Sequence, residues 1–134
     1  MLQTDRFSLV SSSYATVRVV PWVDRDEFVN AGVIVYSHER GFLDARIEVN
    51  EDRLRALWPS LDVGIVARHL EAIRRICAGE ESAGPIALLS KRERFYWLTA
   101  PRSAIIQISA VRTGLSSDPE HLLDRLAQEL VATV

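Results

Sequence analysis

A chain of 134 residues, 48% apolar and 25% charged, has the length and composition of one soluble globular domain that buries its core without disulfide or metal staples. A formal net charge of −2, with Lys91 the only lysine, argues against broad, sequence-independent nucleic-acid binding, which relies on surplus cationic charge. A single cysteine excludes an internal disulfide, and with neither a membrane-length apolar run nor a basic leader before an apolar core, no membrane is expected and the cytoplasm is the expected compartment.

The domain is expected to span 1–134, with 1–12 as a flexible N-terminal segment. From Ser13 to Val20, SYATVRVV is β-branched and alternating and reads as a strand. PWVDRDE supplies a loop, and EFVNAGVIVYS, Glu27 to Ser37, reads as a second strand. SHERG turns it into FLDARIEV, where Leu43, Ala45, Ile47 and Val49 face one way and Phe42, Asp44, Arg46 and Glu48 the other. Short loops between three strands predict an antiparallel meander.

NEDRLRALWP reads as a short helical turn with Asn50 as N-cap and Pro59 at its end. DVGIVARHLEAIRRICAG has Val66, Leu70, Ile73 and Cys77 at helical spacing and Gly79 to close it. Residues 80–94 read as a connecting segment. FYWLT, APRS and AIIQIS resemble a second hairpin, or a strand entering from an irregular loop. SSDPEHLLDRLAQELVATV opens with Asp118 as cap and Pro119 in the first turn, and Leu122, Leu126 and Leu130 form a stripe. The expected fold is α+β: an antiparallel β-meander plus a second hairpin or strand, packed against two main helices in a single domain.

The second strand carries an asparagine and a glycine among apolar residues. Alternation sends Phe28, Asn30, Gly32, Ile34 and Tyr36 to one face, and Val29, Ala31, Val33 and Val35 to the other. Setting Tyr36 opposite Phe42 joins Val33 and Val35 to Leu43, Ala45 and Ile47, and brings Ile34 near Asp44, Gly32 near Arg46 and Asn30 near Glu48. Pairing Val20 with Phe28 puts Arg18 beside Asn30 and Thr16 beside Gly32. The candidate binding face is therefore Tyr14, Arg18, Asn30, Gly32, Tyr36, Arg46 and Glu48. There an arginine flanked by an amide and carboxylates suits bidentate recognition of a planar or anionic group. The same residues also suit a packing network, with Asn30 satisfying backbone groups at a bulge, Gly32 admitting an aromatic side chain or a second helix, and Arg18 paired with Glu48. Packing is the commoner use of such networks.

His38, His69 and His121 have no ligand spacing, and Cys77 belongs to a helical stripe. The sequence contains no glycine-rich phosphate loop and no nucleophile elbow, so no catalytic residue, metal or cofactor is expected. Lys91, Arg92, Arg94 and Arg102 form a candidate anion patch. Beside Tyr96 and Trp97 it could hold a nucleotide phosphate and stack a base, whereas the negative net charge favours a solvated turn preceding a strand. Trp22, Trp58 and Trp97 lie in or beside loops, where tryptophan either covers a sheet end or anchors an interface.

YATVRVVPWVDRDEFVNAGVIVYSHERGFLDARI resembles the N-terminal signature of a bacterial family, domain of unknown function 3037 (DUF3037), and IIQISAVRTGLSSDPEHLLDRLAQELV resembles its C-terminal end. The resemblance covers most of the chain and is weakest over 80–94. It implies that Tyr14, Arg18, Pro21, Glu27, Phe28, Asn30, Gly32 and Gln107 belong to a shared pattern, with Ala31 where a larger residue is common. The family has no established activity. Its gene neighbourhood implies a protein partner similar to HipA-type kinases. The expected function is thus a protein-interaction or accessory module for a HipA-like kinase-fold protein, working through the Arg18 and Asn30 face or an exposed tryptophan. A small-ligand pocket at Gly32 and nucleic-acid binding through Lys91, Arg92, Arg94 and Arg102 are the alternatives. An uncovered sheet face or edge would also allow self-association.

Overall fold

A computed structural model describes residues 8–102 and 104–131. The meander is present: β1 (Val10–Val19), β2 (Val29–Ser37) and β3 (Phe42–Ile47) pair antiparallel in sequence order. β1 starts at Val10, inside the stretch expected to be flexible, while residues 1–7 lie outside the described residues. β4 (Ile106–Ile108) and β5 (Arg112–Ser116) both pair antiparallel with β1. They share its other edge end to end, and their register slips by one residue between Ile108 and Arg112. β1 is therefore interior to the sheet, with β2 along one side and β4 and β5 along the other.

Four helices follow from their local signals. Asn50 caps α1 (Glu51–Leu57), its side chain accepting from the Arg53 N–H at 3.0 Å. Asp62 caps α2 (Val63–Ala78), which ends at Gly79 with a left-handed φ of 72°. Asp118 caps α4 (Pro119–Leu130), with Pro119 in the first turn. α3 (Lys91–Thr99) takes in FYWLT, which had read as strand. Ser90 and Glu93 form a reciprocal capping box that starts it, and Arg94, Phe95 and Leu98 then fall on one buried face. The rest of the connecting segment is two single-turn 3-10 helices, Glu81–Ala83 and Pro85–Leu88.

Helices cover both faces of the sheet. Against one face, Val66, Leu70 and Cys77 of α2 and Phe95 and Leu98 of α3 pack on Val17, Val19, Ile34, Leu43 and Ala45. On the other, Leu122, Leu123 and Leu126 of α4 pack with Val131 on Val33 and Val35, while Leu130 turns outward. Each fully buried leucine contributes roughly 2 kcal/mol. That exceeds the ~0.2–1 kcal/mol of an exposed ion pair, so burial rather than charge holds α4 in place.

This three-layer arrangement overturns the expected register. Ser37 pairs with Phe42, Tyr36 with Leu43 and Val35 with Asp44, one residue from the predicted alignment. A sheet with one apolar face would need Val33 and Val35 to share it with Leu43 and Ala45, but the two valines belong to a second core under α4. A bulge then resets β2: Val17 pairs with Gly32 but Arg18 with Asn30, leaving Ala31 as the extra residue. Val29 and Ala31 consequently join Ile34 and Tyr36 on the α2 side, and Asn30 turns to the α4 side.

Candidate functional site

The asparagine and the glycine have separate structural reasons. Asn30 Nδ2 donates to the Leu130 carbonyl at 3.1 Å, satisfying one of the backbone oxygens that the end of a helix leaves unpaired. At Gly32, a β-carbon would stand 2.6 Å from Ile47 Cδ1 and 2.8 Å from the Arg46 carbonyl oxygen. Ile47 thus occupies the space predicted to be a pocket. The bulge at Ala31 is the device that lets the two residues face opposite layers.

The seven candidate residues therefore do not form one surface. Tyr14, Arg18, Asn30 and Arg46 lie on the α4 side. Gly32 and Tyr36 lie on the other, where the Tyr36 ring stacks on Phe95 at 5.2 Å between centroids. Arg46 straps the sheet to α4, bonding Asp44 at 3.1 Å and Asp124 at 2.9 Å, with Glu120 at 3.8 Å. Burial works against its charge, but the Asp124 and Asp44 carboxylates outweigh that and raise its pKa. Glu48 and Asn30 open onto a groove of about 760 Å³ between β2, the start of α1 and Val131.

Arg18 does sit beside Asn30, as predicted, and on its other side it pairs with Gln107 of β4. Its guanidinium lies 4.2 Å above the centre of the Phe28 ring. Arg18 Nε and Asn30 Oδ1 are both buried and have no hydrogen-bond partner among the described residues. The orientation of the Asn30 amide follows from its partner, because the Leu130 carbonyl can only accept. Ser12 Oγ and Thr16 Oγ1 are unpartnered as well, which extends a polar row along the α4 face of β1. Alternation alone could place Arg18 on this face. Its contact with Phe28 comes from the loop and carries no periodic signal.

The candidate anion patch disperses. Lys91 Nζ donates to the Gly41 carbonyl, and Arg92 lies over Tyr96. Arg94 is buried and turned inward, with Nη1 donating to the carbonyls of Ile76 at 2.8 Å and Cys77 at 2.9 Å, and Nε to that of Leu89 at 3.0 Å. It neutralises the C-terminal end of α2 rather than meeting an external anion. Arg102 stacks on Trp97 at 4.2 Å, beyond the end of α3. Trp58 is buried in the core, whereas Trp22 and Trp97 are exposed. Burial pushes the Cys77 thiol up to about 12, the mark of a packing residue.

The model of a protein family described as a protein of unknown function matches residues 14–131, nearly the whole chain. The chain belongs to the DUF3037 family. No curated protein and no solved structure matches it. In this DUF3037 chain, four of the positions that carry the resemblance lie together: Gln107, Arg18 and Asn30 on successive strands, with Phe28 stacked on Arg18. Among its described residues no helix is long and apolar enough to cross a membrane, and no three His, Cys, Asp or Glu side chains are grouped as for a metal ion.

Proposed function

We propose that this DUF3037 chain is a cytoplasmic protein-interaction module that docks a partner chain at the sheet end marked by Arg18, Phe28, Asn30 and Trp22. The observation that carries the reading is the pair of unpartnered atoms, a donor on Arg18 and an acceptor on Asn30, at directly paired positions of adjacent strands. Buried polar atoms without partners are rare, and each asks for an explanation. A peptide group has the matching pair, a carbonyl to accept from Arg18 and an N–H to donate to Asn30.

The surroundings support a protein rather than a small solute. Phe28 is 44% exposed and Trp22 47% exposed, and aromatic residues beside an arginine are the usual anchors of protein interfaces. Phe28 covers the guanidinium, so a docking chain reaches Arg18 by displacing that exposed ring. A kinase-fold protein of the HipA-like kind, which the family resemblance suggests, is the partner to test first.

The test is recovery of a tagged copy from its native host at endogenous level. One stoichiometric protein should accompany it, be lost with Arg18→Ala and Trp22→Ala, and remain with Arg68→Ala on the far side of the molecule. Recovery of the chain alone, or equal retention by all three variants, removes the reading.

A further inference from the structure

On the opposite side of β4 from Gln107, a cleft of about 340 Å³ opens between α2, α3 and the sheet. Its walls are Ile73 and Ile76 of α2, Leu98 of α3, and Ile105, Ile106 and Ile108 of the β4 strand and its approach. Ile73, Ile105, Ile106 and Ile108 are only partly buried, so this apolar surface faces solvent inside a concavity rather than closing on itself. Water in such a cleft finds few hydrogen-bond partners, and an apolar ligand that displaces it is favoured.

The polar groups in the lining are His69, Arg102 and the indole N–H of Trp97. Arg102 is held in place: its guanidinium stacks 4.2 Å over the Trp97 ring, and one Nη2–H donates to the Trp97 carbonyl at 2.6 Å. Arg102 has no ion pair among the described residues. A guanidinium has five N–H donors, so the stacked group keeps a fork free for a carboxylate without having to be ordered on binding. An apolar cavity with a small number of fixed polar groups at its edge is the usual form of a small-molecule site.

We propose that this cleft binds a small carboxylic acid with an apolar body, a short acyl chain or an aryl group, its chain among the isoleucines and its carboxylate on Arg102. The site is independent of the docking surface at Arg18, which lies on the other face of the sheet. His69, exposed and part of the same lining, is a second polar side chain at the site.

Octanoate, octanol and octylamine, titrated against the isotope-labelled chain and followed by NMR of the isoleucine methyl groups, test this. Octanoate should bind saturably and shift Ile73, Ile106 and Ile108, while octanol binds about tenfold more weakly and octylamine weaker still. Arg102→Ala should reduce octanoate to the level of octanol and leave octanol unchanged. Ala72→Phe, an exposed helix position that lines the cleft, should block both by filling it, and an unshifted thermal midpoint shows that either variant is folded. Equal affinity for octanoate and octanol, shifts confined to other methyl groups, or full binding by Ala72→Phe would overturn the proposal.

Discussion

Gly32 pairs with Ile47 across β2 and β3, and the Ile47 side chain folds over it, with 2.6 Å between the place a β-carbon would take and the Ile47 Cδ1 atom. The Arg46 carbonyl blocks the same place from the neighbouring strand at 2.8 Å, and backbone in a paired strand cannot withdraw as a side chain can. Gly32→Ala should therefore destabilise the fold by about 1–3 kcal/mol, the usual range for overpacking. Denaturant unfolding of Gly32→Ala, Ile47→Val and the double variant checks the cause. Ile47→Val removes Cδ1, so the double variant should cost less than the two single costs added together.

Asn30 ties β2 to the last helix through one hydrogen bond. Asn30→Ala should lower stability by about 1 kcal/mol, because the Leu130 carbonyl loses its donor close to solvent. Asn30→Asp should cost more, since a carboxylate would then face a carbonyl oxygen. Thermal melts of both variants give the order, and an Asp variant as stable as the parent would show that the bond is absent in solution.

Arg94 holds three carbonyls from two segments with one guanidinium. Arg94→Ala leaves Ile76, Cys77 and Leu89 without that donor and should cost about 3 kcal/mol, the range of a buried charge-assisted bond together with unpaired acceptors. Arg94→Lys keeps the charge but not the fork, and should recover only part of the loss. Urea unfolding midpoints at equal slope are the measurement.

Cys77 makes stability depend on alkaline pH. Its thiol is neutral in both states below the ordinary value of 9.0, so its full contribution is present there. Between pH 9 and about 12 the unfolded chain releases the proton while the folded chain retains it. Stability then falls by about 1 kcal/mol per pH unit relative to Cys77→Ala, which lacks the group. Unfolding of the two chains at pH 8, 9 and 10 isolates this difference, and parallel curves would show the thiol to be unperturbed.

The caps of α1 and α4 and the end of α2 were legible because Asn50, Asp118 and Gly79 act within one turn of their own position, and the Asp62 cap of α2 has the same local character. The strands of the meander were legible for the same reason. Their register was not, because it depends on both sheet faces being covered and on an extra residue at Ala31, neither of which leaves a periodic mark. α3 had a usable signal in Ser90 and Glu93, masked by the β-prone run of Phe95, Tyr96 and Trp97. Setting Val20 opposite Phe28 pairs Arg18 with Asn30 correctly, but the alignment ends at the bulge, beyond which Thr16 meets Val33 rather than Gly32. The apolar cleft was not legible, since its isoleucines come from α2 and from the β4 stretch, about thirty residues apart in the chain.

The placing of β1 inside the sheet makes the sheet depend on contacts far apart in the chain. β1 precedes the partners for one of its edges, Ile106–Ile108 and Arg112–Ser116, by about ninety residues of chain. Without them β1 would keep one edge unpaired beside the valines that α4 covers. An unpaired edge of that kind is a template for another strand, so β4 and β5 close the sheet on that side as well as extending it.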